Sequence, residues 1–137
     1  MEQVHLNAVF EFVKTFSEQE VALFAELSED NNPIHLDAAY AEQSIFKQRV
    51  VHGVLIVSLF SKIFGTIYPG NGGIYLSQPS KFIRPAFIGD AITAKATLTA
   101  FDDVKKHGVF LCEAFNSKNK LLLKGEAKIL FPDTFSL

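Results

Sequence analysis

Tryptophan is absent from this chain, and cysteine and methionine each occur once. A single thiol, Cys112, excludes an intrachain disulfide framework, and with no signal-peptide pattern at the N-terminus a reducing cytoplasm is the expected compartment. Basic excess is missing too. Thirteen Lys and Arg stand against 15 Asp and Glu, a net charge of −2, which argues against a general nucleic-acid face and leaves any anionic ligand to a local patch. No apolar run reaches the roughly 20 residues that a membrane-spanning helix needs, so no membrane partner is expected. No repeat, linker or low-complexity segment is visible. The four histidines, His5, His35, His52 and His107, lie at no metal-ligand spacing, and no metal is expected. Gly70 to Gly73 lacks the Lys-Ser/Thr of a phosphate loop and reads as a turn.

What is present is apolar bulk. The 137 residues are 48% hydrophobic and include 14 Phe, enough for one domain over 1–137 whose large apolar surface goes into a core, a pocket or a subunit interface. The longest apolar run, Val50 to Gly65, carries His52 near its start and Lys62 within it. A helix apolar nearly all round lies inside something, so this is the expected central helix. At its head, Gly53 allows close approach of another molecule, and the first free N–H groups of a helix attract developing negative charge. The same glycine would also serve merely to relieve crowding. Ser61, inside the run, needs a polar partner: a carbonyl one turn back, or a catalytic carboxylate that it supports.

Residues 4 to 16 read as a first strand with a bend. Ser17 with Glu20 forms a capping box, and Val21, Phe24, Ala25 and Leu27 make an apolar stripe running to Ser28. Glu29 to His35 reads as a loop, after which Asp37 caps a short helix, Ala38 to Ser44, that carries Tyr40 and Ala41 toward the core. Four strands follow: Ile74 to Arg84 with Pro79 as an irregularity, Ala91 to Phe101 with Ile92, Ala94, Ala96 and Leu98 inward, Val109 to Phe115, and Lys120 to Phe131. The order describes an α+β fold, a highly curved antiparallel sheet wrapped around one central buried helix.

The loop holds the most reactive-looking pair, Asp30 and His35, an acid and an imidazole five positions apart across a proline-stiffened turn. Asp-Asn-Asn-Pro is also an ordinary turn sequence, and a histidine before a helix can cap or pack, so composition leaves both readings open. Asn32 either forms the turn or orients a neighbour. His52, at the mouth of an apolar helix, suits a structural hydrogen bond. Cys112, at strand spacing among Phe110 and Ala114, reads as a small buried hydrophobe rather than a nucleophile.

Ser28-Glu29-Asp30-Asn31-Asn32-Pro33-Ile34-His35-Leu36-Asp37, then Ala41, Val50-Val51-His52-Gly53, Tyr68-Pro69-Gly70, Ile74-Tyr75-Leu76-Ser77-Gln78, Lys81-Phe82-Ile83-Arg84-Pro85 and Ile88-Gly89-Asp90 together resemble the MaoC-like hydratases. These are the (R)-specific enoyl-CoA hydratases of the hotdog superfamily. The resemblance covers nearly the whole chain, and its Asp-x-Asn-Pro-x-His core is its most specific element. It implies a hotdog fold in which Asp30 and His35 are the catalytic pair, the Gly53 N–H donates to the thioester oxygen, and Asn32 and Ser61 support them; His52, from its place beside Gly53, is counted as a further supporting residue. The family often has Gly where this chain has Glu29, which adds a charge beside Asp30.

The implied reaction is hydration of a trans-2-enoyl-CoA to an (R)-3-hydroxyacyl-CoA, or the reverse, without metal or redox cofactor, coenzyme A being part of the substrate. An acyl carrier protein thioester is the other carrier. A homodimer with its sites near the interface is expected. An acyl-CoA thioesterase and a non-catalytic acyl-thioester binder are the alternatives. Gly53, Val57, Ser61 and Phe64 share one helix face, so an acyl tail along it would stop at Phe64 after roughly four to six carbons. Lys81 and Arg84, or Lys47 and Arg49, are the cations that could meet the CoA phosphates.

Overall fold

The first helix, α1 (Glu18–Ser28), starts where its capping box says it should: Ser17 Oγ accepts from Glu20 N–H, and the Glu20 carboxylate accepts from Ser17 N–H. Its Val21 and Ala25 are buried. The computed structural model describes residues 1–137, and in it two further short helices follow, α2 (Pro33–Leu36) and α3 (Ala38–Glu42). Thus His35 sits in a helical turn rather than in loop. Asp37 does cap α3, accepting from Tyr40 N–H, and Ala41 is buried, but Tyr40 points outward and is exposed. A helix this short has one inward position per turn, and Ala41 occupies it.

Helix α4 (Gly53–Lys62) continues through a π-helical turn, Ile63–Ile67. Around it runs a six-stranded antiparallel sheet built from β2 (Val9–Thr15), β3 (Ile74–Ser77), β4 (Ser80–Phe82), β5 (Ala91–Asp102), β6 (His107–Phe115) and β7 (Leu121–Leu130). The order is β2-β5-β6-β7-β3, with β4 also paired to β7. Two-residue strands β1 (Glu2–Gln3) and β8 (Phe135–Ser136) pair in parallel at the termini. Alternation in β5 came out as its sequence reads, with Ile92, Ala94, Ala96 and Leu98 wholly buried. Pro79 does more than disturb its strand. It separates β3 from β4, because a proline offers no N–H to a ladder.

The core joins Ile56, Leu59, Phe60, Ile63 and Phe64 of the central helix to the inward rows of β5, β6 and β7. Burial is one-sided, contrary to the all-round burial expected: Val54, Ser58, Ser61 and Lys62 are exposed. The sheet of one chain covers one side of the helix and no second layer covers the other. No helix is long and apolar enough to cross a membrane.

Candidate active site

Glu29 ends α1 in the left-handed conformation, φ 62°, and so turns the chain back toward the head of α4. A relay of short-range polar contacts then fixes the path. Ser28 Oγ accepts from Asp30 N–H at 3.1 Å, Asp30 Oδ1 from Asn32 N–H at 3.3 Å, and Asn32 Oδ1 from Ile34 N–H at 3.2 Å. Asn32 is thereby the N-cap of α2, with Pro33 in its first turn. The motif Asp-Asn-Asn-Pro-Ile-His is thus a device for starting the one helical turn that carries His35.

His35 is buried, and its Nδ1 lies 2.7 Å from the Val50 carbonyl oxygen. A carbonyl only accepts, so Nδ1 carries the proton and Nε2 is left as a bare lone pair. Against this ring stacks His52, with centroids 3.7 Å apart and planes 21° from parallel. His52 Nε2 is 3.2 Å from the Asp30 carbonyl oxygen and 4.0 Å from the Asp30 carboxylate, which is half exposed. Burial pushes the His52 imidazole below its ordinary range; the Asp30 carbonyl opposes this, and a second proton on His35 would add to it.

Donor atoms of Asp30, His35 and His52 come within 4.8 Å of one another. That spacing admits one water bridging acid and base with hydrogen bonds of about 2.8 Å to each. It suits a metal poorly. Each imidazole directs its lone pair in its own plane, and two nearly parallel rings do not aim at a common point about 2.1 Å from both.

Gly53 opens α4, so its N–H has no acceptor within the helix. Gly53 lines a cavity of about 380 Å³ together with His35, Phe46, Val51, Ile56, Phe82 and Arg84, among others. The need for glycine is steric. A Cβ at 53 would lie 2.8 Å from the Phe82 ring, which packs over the helix head. Neither Phe82, on a strand, nor Phe46, in the turn after α3, stood out in the sequence, since a lone aromatic usually signals packing.

The other candidates divide. Asp30, His35, His52, Gly53 and Arg84 come together, and Asn32 supports them through α2. Ser61 is exposed in this chain and makes no contact with the Asp30 carboxylate. Val57 is half-buried; Phe64 is buried edge-on to Tyr75 at 5.6 Å and tilted on Phe110 at 4.6 Å, and neither lines the cavity. Arg84 also donates to the Leu121 carbonyl at 2.8 Å. Lys81 borders a separate depression with Lys124, while Arg49 is ion-paired to Glu18 and Lys47 shares their surface. Cys112 is buried, its thiol pushed up to about 12 by desolvation, as befits a small core residue.

Residues 4–113 match the MaoC like domain. The chain belongs to that family. This MaoC-like domain is 43% identical to an (R)-specific enoyl-CoA hydratase of Aeromonas caviae over 87% of its own length and 89% of the relative's. It is 33% identical to a mitochondrial 3-hydroxyacyl-[acyl-carrier-protein] dehydratase of Arabidopsis thaliana, over 88% and 73% of the two chains. Among solved structures, the (R)-hydratase from A. caviae involved in PHA biosynthesis superposes with a TM-score of 0.92 at 40% identity, covering 94% of this chain and 98% of that one. The hotdog arrangement of sheet around helix is therefore shared along almost the whole length.

Proposed function

We propose that this MaoC-like domain is an (R)-specific enoyl-CoA hydratase, adding water across the double bond of a trans-2-enoyl thioester or catalysing the reverse dehydration. One observation carries the reading: the buried His35 ring, its Nδ1–H committed to Val50, has its other nitrogen bare, lies in one cluster with Asp30 whose ligand atoms are within 4.8 Å of one another, and lines the same cavity as Gly53. Water held between Asp30 and His35 gives its oxygen to C3 while His35 Nε2 takes a proton. The pair returns one proton to C2 from the same face, so the elements of water are added and both residues end as they began. Enolate charge grows on the thioester oxygen during attack. The Gly53 N–H faces it, and one such donor is typically worth about 3 kcal/mol. The relatives' names support the reaction class, and their two carriers leave CoA as the proposal here, on the greater similarity to the hydratase.

A homodimer is part of the proposal. Strand β3 is a sheet edge, and Ile74, Leu76, Phe82 and Ile83 are exposed along it and β4, the kind of edge a second copy covers. The cytoplasm is the proposed compartment, in keeping with a single buried, unpaired thiol. Crotonyl-CoA tests the activity. Loss of enone absorbance without thiol release is the expected result, whereas thiol release with the enone intact would assign a thioesterase instead.

A further inference from the structure

We propose that His52 is a positioning residue for the water-adding pair: a neutral imidazole, in the opposite tautomer to His35, that fixes Asp30, His35 and Gly53 relative to one another. The proposal deepens the hydratase reading and rests on it. Three contacts carry it. The His52 Nε2 lies 3.2 Å from the Asp30 carbonyl oxygen, and since that oxygen only accepts, Nε2 holds the proton and Nδ1 is bare. The ring stacks on His35 at 3.7 Å, with Phe24 of α1 edge-on at 4.8 Å on another side. The peptide bond that leaves His52 supplies the Gly53 N–H. One side chain therefore touches the backbone of the acid and the ring of the base, one residue from the donor that faces the thioester oxygen.

The bare Nδ1 decides the charge. It is buried and has no hydrogen-bond partner, so protonating it would create a buried N–H with no acceptor, a larger cost than leaving a lone pair idle. Whenever His35 holds the proton taken from water, a charged His52 would also set two cations face to face. The groups favouring charge are the Asp30 carbonyl and the Asp30 carboxylate, and the latter is half exposed and screened by solvent. Burial shifts His52 the same way as these arguments. A proton abstracted from water thus stays on His35, ready to return, instead of passing deeper into the stack. Phenylalanine would fill the volume and keep the stack, but it would release the Asp30 carbonyl.

The test uses the full chain, crotonyl-CoA and two readouts. Imidazole 15N NMR near pH 7 is expected to show His35 protonated on Nδ1 and His52 on Nε2, with His52 taking up its second proton only below the ordinary histidine range. A cationic His52, or one protonated on Nδ1, overturns the proposal. His52→Phe is expected to lower kcat about 100-fold with KM little changed, the penalty of a small misplacement of reacting groups. His52→Gln, which returns an Nε2 donor, should recover most of that loss. A His52→Phe kcat within about threefold of wild type, or a folded His52→Gln no better than His52→Phe, overturns it as well. Should His52→Phe fail to fold, the NMR result decides alone. A wild-type chain that leaves crotonyl-CoA untouched refutes the hydratase reading and with it the pair that His52 positions, an outcome distinct from failure of the variants.

Discussion

A histidine works as a base only through the nitrogen that carries no proton, and in this chain that choice is made by Val50. Its carbonyl holds the His35 Nδ1–H, so replacing the imidazole removes both the proposed base and the partner of a buried acceptor. Asp30→Asn is expected to cut kcat by about 100-fold or more with stability nearly unchanged, as loss of a general acid–base group does. His35→Gln should do the same to kcat and cost roughly 1–3 kcal/mol if the Val50 carbonyl is left unpaired. Turnover of crotonyl-CoA and thermal unfolding measure the two effects separately, and activity within about tenfold of wild type in either variant, roughly 1.4 kcal/mol in barrier, would remove that residue from the mechanism. Sequence put this pair forward because Asp, Asn, Pro and His are turn and proton-transfer residues in one short segment, and composition left both roles open. It did not show that His35 would be buried, which depends on Val50, 15 residues away. Glu29 was legible as a departure from the family's usual Gly, and its consequence proved to be conformational: the residue sits at φ 62°, where a Cβ is strained. Glu29→Gly is expected to raise stability by about 1 kcal/mol, less whatever the unfolded chain gains in freedom, with kcat little altered. A drop in stability measured by denaturant titration would show that Glu29 makes a compensating contact.

At the scale of elements, the head of α4 is where packing and chemistry meet. Gly53 is compatible with an ordinary helical backbone, so the reason for glycine is the Phe82 ring, 2.8 Å from where a Cβ would stand. Gly53→Ala should push that half-exposed ring into the cavity beside the free N–H and lower kcat/KM by about tenfold, and Phe82→Leu in the same chain should recover a good part of it. Additive losses in the double variant would show that the two residues do not communicate. Helix boundaries set by local chemistry, such as the Ser17–Glu20 box, were readable from the sequence, and so was the inward row of β5. The Gly53–Phe82 contact was not, because it joins a helix start to a strand almost thirty positions later and leaves no periodic trace. The wet face of α4 was misread for a related reason: apolar composition says that a helix wants cover, not which molecule provides it. Phe64 lies farther along α4, in the π-helical turn, packed on Tyr75 and Phe110. Phe64→Ala is expected to cost roughly 3–5 kcal/mol, the usual range for truncating a buried ring. If the acyl tail runs along this helix, the space vacated also raises kcat/KM for eight-carbon relative to four-carbon enoyl-CoA, each newly buried CH₂ adding up to about 0.8 kcal/mol. An unchanged ratio assigns Phe64 to packing and puts the chain-length limit elsewhere.

For the molecule as a whole, the distribution of exposed apolar residues is the remaining physical problem. Ile74 and Leu76 on β3, Phe82 on β4, Ile83 just after it and Val54 on α4 are each between 44% and 59% exposed, although the chain has few charges to shield them. Strand β3 has a ladder partner on one side only, so its outer N–H and C=O groups and its side chains are both open to pairing. A twofold axis beside β3 would bring the same strand of a second copy alongside and continue the sheet, satisfying both needs with one self-complementary contact. The candidate site lies at that edge, since Phe82 and Ile83 wall the cavity that holds His35 and Gly53. Cover over the edge would therefore also exclude water from the place where the proposed reaction puts charge on the thioester oxygen, and each electrostatic contact there would gain strength. Sedimentation of the wild-type chain should give twice 15.2 kDa at micromolar concentration. The double variant Ile74→Lys, Leu76→Lys places like charges across the axis without touching the inward core, so it should sediment as a folded monomer and lose about tenfold or more in kcat/KM. A wild-type chain that is monomeric and fully active, or a charged variant that becomes monomeric with kcat/KM intact, would show that one copy completes the site by itself and that the apolar edge serves some other contact.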